Sequence, residues 1–431
     1  MQQEKTFALK GHVIYSQTPA SLISAPDSYV ICEDGKSAGV FSTLPGNYTG
    51  IPVRDFADRL IIPGLVDLHL HAPQYAIRGT GMDLELLEWL NTNAYPEEAR
   101  YADLDYARLA CGQFVQALLA GATTRACVFA TVHVPAAILL MELLEESGLI
   151  AMVGKVNMDR NCPDSLREQS AGRSLADTEL WIKETSGRFR NVSPILTPRF
   201  IPSCSDELMQ GLGRIQRQSG LPLQSHLSEN LAEIEWVRSL CPSAINYAEA
   251  YEHFGLFGGD CPTVMAHCVH LKEEEIDRIK RRGVFIAHCP QSNTNLSSGI
   301  APVRTFIDRG LNVGLGTDIA GGFSLSILRA MSDAVQSSKL RWRLTDDSLP
   351  PLTMAEAFYL GTKGSGAFFG RAGSFEPGYE FDAVVLDDKD LPHPRSLTPV
   401  QRLERMICLA DDRNIMAKYV AGRKIFNKCS R

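Results

Sequence analysis

IIPGLVDLHLHA, residues 61–72, is almost continuously apolar and closes on His69 and His71. An apolar run without alternation is the pattern of a parallel strand covered on both faces. Two histidines at i and i+2 of a strand point the same way, so one strand offers two imidazoles to a single ion. Seven runs of the same texture follow: TTRACVFAT (123–131), IAMVGKVNMD (150–159), VSPILTPRF (192–200), LPLQSHLSE (221–229), TVMAHCVH (263–270), VFIAHCP (284–290) and NVGLGTD (312–318). Between them lie stretches of helical spacing. LDYARLACGQFVQALLA stops at Gly121, SDELMQGLGRIQRQS at Gly220 and KEEEIDRIKRR at Gly283, and Thr353 to Glu356 reads as a capping box. Eight β/α units in about three hundred residues predict an α/β fold, a (β/α)8 TIM-like barrel. An open doubly wound sheet is the second reading, but no Gly-rich dinucleotide turn follows any of the strands.

Outward from the barrel the texture changes. Before residue 61, FALKGHVIYS, SYVICED and GVFSTL read as short strands, with Asp34-Gly35 as a tight turn. After Gly370, EFDAVVLDD (380–388) and a hairpin AKYVAGRKIFNK (417–428) restore the strand pattern. Strand-rich ends predict that residues 1–62 and 371–431 share one small β-sandwich domain beside a barrel at 63–370.

The chain has 431 residues, 43 Lys and Arg against 50 Asp and Glu, and a net charge of −7. A negative balance argues against nucleic-acid or anionic-membrane binding, which needs concentrated Lys and Arg. Eleven cysteines run from Cys32 to Cys429 with no CxxC, which fits neither a disulfide framework nor a thiolate zinc knuckle. The first residues are broken by Lys5, Lys10 and His12, and AAILLMELL (136–144) is too short to span a bilayer. A cytoplasmic protein is expected.

Barrel active sites stand at the C-terminal ends of the strands. Those ends carry His69 and His71, Ser225-His226, Ala266-His267, Ala287-His288 and Thr317-Asp318. Five of the ten histidines and an aspartate therefore converge on one rim. Imidazoles with a carboxylate suit a zinc-like ion better than magnesium, which prefers oxygen ligands. Glu229 lies three residues after His226. It either shuttles a proton at such a site or begins the next helix as an exposed acid.

These segments resemble the metal-dependent amidohydrolase superfamily in PGLVDLHLHA, the strand-end histidines and GLGTD. They resemble its guanine deaminase branch in HAPQYAIRGTGMDLELLEWLNTNAYPEEARY (71–101), VGKVNMDRN (153–161), TPRF (197–200), QSHLSEN (224–230), MAHCVHL (265–271), IAHCPQSN (286–293) and GLGTDIAGG (314–322). The resemblance covers nearly the whole chain; Pro73 is a small departure that removes no ligand. It implies one Zn2+ per chain held by His69, His71, His226 and Asp318. Glu229 is then the proton shuttle, His267 orients the water, and Asp318 also takes part in proton transfer. Gln74, Arg199 and Phe200, with His226, Glu229 and Asp318, bind the base. The implied reaction turns guanine into xanthine and ammonia in a homodimeric enzyme of purine catabolism, without nucleic-acid or membrane partners.

Binuclear relatives bridge two ions at the end of strand four, where this chain has only Thr197-Pro198-Arg199-Phe200. Lys155, His133 and His270 are expected to be structural, and His288 to shape the pocket or lie buried. An Arg fork and a glutamine amide suit a polar heterocycle; the other reading of Arg199 is an ion pair at the barrel rim. Trp89 and Tyr75 could cover the base, although LLEWL also reads as a packed amphipathic helix. Two other functions are weighed: deamination of a pterin, cytosine or triazine, and a non-catalytic scaffold, which would have lost metal ligands.

Overall fold

The computed structural model describes residues 5–428. The first strands, β1 (Thr6–Thr18), β2 (Ser21–Glu33) and β3 (Lys36–Phe41), form an antiparallel set that turns at Asp34-Gly35. The long strand β4 (Val53–Pro63) lies parallel to β1. The run expected as one strand over 61–72 therefore splits, with β5 (Leu65–His71) starting anew after Gly64. A Cβ at Gly64 would stand 2.2 Å from Thr124 Oγ1, so only glycine lets the chain pass between the two sheets here.

The alternation of strands and helices then unfolds as β6 (Thr123–Phe129), β7 (Ile150–Gly154), β8 (Val156–Asn157), β9 (Val192–Pro194), β10 (Thr197–Pro198), β11 (Leu223–Leu227), β12 (Thr263–His267), β13 (Phe285–His288) and β14 (Asn312–Leu315). Two of the expected strands each come as two short pieces, β7 with β8 and β9 with β10. Strands β5, β6, β7 and β9 form one parallel sheet, β11 to β14 form another, and β8 pairs with β10. The architecture is TIM-barrel-like. Leu196 N donates to Pro222 O and Gln224 N to Leu196 O, each at 2.9 Å, which ties the chain after β9 to β11. Past β14, Asp318 N donates to His69 O at 2.8 Å and His71 N to Ile319 O at 2.9 Å. These bonds draw the loop carrying Asp318 against the strand carrying the two histidines.

Helices end largely as their glycines require. Gly220 and Gly283 are left-handed (φ 68° and 66°), whereas Gly121 is extended (φ −76°), because the chain turns directly into β6. Thr353 accepts from Glu356 N in a complete capping box. No helix among the described residues is long and apolar enough to cross a membrane. All ten described cysteines are free; Cys429 lies outside the described residues.

At the C-terminal end β15 (Ala383–Leu386), β16 (Ile415–Val420) and β17 (Arg423–Asn427) join the first four strands in the order β17-β16-β15-β4-β1-β2-β3. In place of two facing sheets, the terminal strands make one hydrogen-bonded mixed sheet of seven. Charged groups buried between this sheet and the parallel strands join the two. Arg125 of β6 donates through Nε to Asp382 Oδ2 at 2.5 Å, and the same carboxylate accepts from Ala421 N at 2.8 Å. Lys418 of β16 donates to the carbonyls of Leu118, Gly121 and Thr123 at 2.9–3.1 Å. Burial pushes its pKa down to about 7, yet three carbonyl acceptors call for the three donors of an ammonium.

Removing one partner of a buried ion pair leaves an uncompensated charge. Asp382→Ala is expected to cost about 3–5 kcal/mol of stability, measured by denaturant unfolding. A loss below about 1 kcal/mol would show that the pair does not hold the two sheets together.

Candidate active site

The strand-end residues meet as polar groups withdrawn from water. His69, His71, His226, His267 and Asp318 are all less than a tenth exposed, and so is Glu229. The 3.2 Å between His71 Nε2 and His226 Nε2 equals that between His69 Nε2 and Asp318 Oδ1. Nitrogens bound to one tetrahedral ion at ~2.0–2.1 Å stand about 3.3 Å apart, so the spacing fits a shared metal. A second feature agrees: His69 Nε2 is buried and makes no hydrogen bond. His226 Nδ1 lies 2.6 Å from Arg199 O, which can only accept, so Nδ1 carries the proton and Nε2 keeps its lone pair.

Burial lowers the pKa of His69, His71 and His226, keeping them neutral as ligands must be. Asp318 behaves oppositely. Burial opposes its charge, but the imidazoles that face it outweigh burial, among them His267, whose protonation the carboxylates favour, and hold the carboxyl far below the usual carboxylate range. His267 is set by its neighbours. Its Nδ1 faces Asn293 Oδ1 at 2.9 Å, and its Nε2 lies 3.4 Å from Glu229 Oε2 and 3.8 Å from Asp318 Oδ2. Burial works against its protonation, yet the two carboxylates raise its pKa.

Glu229 is not the exposed helix-starting acid. The helix begins one residue later, with Asn230 and Glu233 forming its capping box, and Glu233 Oε2 accepts from Glu229 N at 3.0 Å. The Glu229 side chain instead accepts from Ser298 Oγ at 3.1 Å, and burial pushes its pKa up to about 7. Two of these residues, His267 (φ 72°) and Asp318 (φ 48°), and also Ser228 (φ 49°) next to Glu229, sit in left-handed backbone near strand ends. Such conformations cost ~1–3 kcal/mol each and persist where the surroundings impose them.

A small cavity opens onto the cluster. Gln74, Arg199 and Phe200 line it together with His71, His226, His267, Glu229 and Asp318, and Leu86, Trp89, Leu90 and Leu296 supply an apolar wall. Tyr75 lies elsewhere, packed edge-on against Phe114. Arg199 lines the cavity, and its Nη1 donates to Glu98 Oε2 at 2.6 Å in a buried ion pair. His288 is buried, its pKa pushed down to about 3 by burial, and it does not line the cavity. Lys155 is buried beside Glu168, His270 binds Ser298 O at 2.6 Å, and His133 stands at the start of the helix Val134–Ser147.

Sequence reasoning missed several supports. Asp67 accepts from Thr317 N, Thr317 Oγ and His69 N at 2.5–3.2 Å, and burial pushes its pKa up to about 7. Asn293, Ser298 and Glu233 were also not singled out. Glu98 was readable in principle: Leu86, Leu90 and Ala94 repeat every four residues, and Glu98 continues the series onto the buried face.

The Amidohydrolase family model matches residues 60–425. Guanine deaminase of Dictyostelium discoideum is 40% identical, over 96% of this chain and 97% of that protein. Guanine deaminase of Homo sapiens is 39% identical, over 84% of this chain and 82% of that one. Among solved structures, guanine deaminase from C. acetobutylicum with guanine bound in its active site superimposes with a TM-score of 0.95 at 48% identity, covering 98% of this chain and 100% of that one. With its buried donor set, its cavity and these relatives, the chain belongs to the amidohydrolase family.

Proposed function

We propose that the chain is a zinc-dependent guanine deaminase, hydrolysing guanine to xanthine and ammonia. The observation that carries this reading is one cavity holding both a metal-type donor set and a polar base-reading pair, Gln74 and Arg199. His69, His71, His226 and Asp318 are the ligands in this reading, and three nitrogens with one carboxylate favour zinc. When bound, such an ion lowers the pKa of water toward ~7 and supplies a nucleophile at neutral pH.

The chain's own residues do the rest. Glu229 and Asp318 sit in environments that drive their pKa values apart, which divides acid from base. Glu229 delivers a proton to the ring nitrogen beside C2, and Asp318, held ionised, accepts one. His267, anchored by Asn293, orients the attacking water. A C2–O bond forms, the C2–N bond to the exocyclic amine breaks, and one water is consumed for each ammonia released. Arg199 donates to the ring carbonyl, Gln74 completes the polar edge, and Phe200 and Trp89 flank the ring.

Finer features of the reading belong with it. The eight strands close into a ring, supported by hydrogen bonds across both seams. The domains divide at 1–62, 63–370 and 371–431, supported by the seven-stranded sheet drawn from the two ends. The free cysteines support a cytoplasmic setting. The homodimer implied by the resemblance is read from light scattering. The reading is tested by xanthine formation from guanine, run beside adenine, cytosine and a pterin; turnover of one of these others in preference to guanine would overturn it.

Two substitutions separate the roles. Arg199→Lys keeps a charge beside Glu98 but loses the fork, and is expected to cost about 1.5–3 kcal/mol in kcat/KM for guanine. A kcat/KM within about threefold of wild type would remove Arg199 from recognition. Glu229→Gln preserves shape and metal and removes the transferable proton, so kcat is expected to fall ~10²–10⁴-fold with guanine still bound. A loss of less than about tenfold, with full metal content, would take Glu229 out of the mechanism.

A further inference from the structure

Glu98 touches neither metal ligand nor acid–base group, yet it is 3% exposed and holds both residues assigned to the base. Its Oε2 accepts from Arg199 Nη1 at 2.6 Å and its Oε1 from Gln74 Nε2 at 2.8 Å. The other end of the Gln74 amide is also fixed, because Oε1 accepts from Ala320 N at 2.9 Å. A flipped amide would set its oxygen against a carboxylate and its N–H against a backbone N–H. The network therefore permits one orientation only. For Arg199, Glu98 supplies the carboxylate partner that a buried guanidinium needs. Arg199 also stacks on Tyr95, 5.0 Å from the ring centre.

We propose that Glu98 sets the hydrogen-bond polarity of the substrate cavity. With its carboxylate receiving one N–H from each residue, Gln74 presents its second amide N–H and Arg199 its remaining guanidinium N–H groups. That wall then offers donors. It suits a base whose facing edge offers adjacent acceptors, as O6 and N7 of a 6-oxopurine do, and opposes a base with an exocyclic amine at that position, as in a 6-aminopurine. Rejection is strong because buried donors are left unpaired. Glu98 is thus a positioning residue that determines specificity through two others. The inference rests on the guanine deaminase reading and deepens it.

The test is Glu98→Gln in the metal-loaded full chain, measuring kcat and KM for guanine and inhibition constants for hypoxanthine and adenine. An amide at position 98 has one acceptor. With its oxygen on Arg199, which can only donate, it turns its own NH2 toward Gln74. The Gln74 amide then faces an opposed donor in either orientation, this one or the Ala320 N–H, and is no longer held in one. Metal content and kcat are expected to stay close to wild type, while KM for guanine rises at least about tenfold and the preference for hypoxanthine over adenine falls at least about tenfold. A general loss of packing would weaken both inhibitors alike, so the ratio separates positioning from mere stability. Should Glu98→Gln fail to fold, Gln74→Leu removes the oriented amide alone and is expected to lower the same ratio. A preference ratio within about threefold of wild type in the folded variant overturns the role of Glu98. Wild-type protein that leaves guanine unchanged would overturn the underlying reading instead.

Discussion

Everything at the rim depends on keeping one carboxylate ionised where there is almost no water. Asp318 is 5% exposed and has imidazoles on several sides. An isolated carboxylate so placed would take up a proton. Here His267, whose protonation the neighbouring carboxylates favour, works against burial to keep it charged, while burial holds His69, His71 and His226 neutral. The outcome is a set of lone pairs pointing at one another, an arrangement that a cation satisfies and that plain packing does not. Much of the surrounding structure serves this arrangement. Asp67 pins Thr317 beside His69, and the Asp318 backbone bonds to His69 O. Gly316 fits there because a Cβ would come within 2.9 Å of His69 Cβ.

The same logic of buried charge recurs at a distance from the metal-type cluster. Glu98 with Arg199 builds a polar wall on the cavity, and Arg125 with Asp382 joins the parallel strands to the terminal sheet. Each pair is bound on geometry that leaves few groups unsatisfied, the condition under which buried ions are tolerated. Around the cavity these pairs also divide the labour. In the proposed function, the wall with Glu98 and Arg199 reads the substrate, and Glu229 and His267 stand beside the reacting position.

The barrel-like core was legible because parallel strands buried on both faces write themselves as apolar runs, and polar residues stand out where those runs stop. His69, His71, His226, His267 and Asp318 were found on that signal alone. Strand boundaries were less legible: Gly64 breaks a run that looks continuous, and its reason is a neighbour sixty residues away, Thr124. The terminal strands could be recognised singly, but not their order, because β4 pairs with β1 and also, across more than three hundred residues of chain, with β15. Glu98 was missed for the same physical cause. The four-residue series points to its burial, but its meaning comes from Arg199, 101 residues on.

In the proposed function one metal sits at one place, held by three imidazoles and Asp318. Anomalous scattering from crystals of the zinc-loaded protein, recorded at the zinc edge, tests it most directly. A single peak is expected at ~2.0–2.2 Å from His69 Nε2, His71 Nε2, His226 Nε2 and an Asp318 oxygen. Two adjacent peaks, or a peak bound by other residues with this cluster left empty, would contradict it.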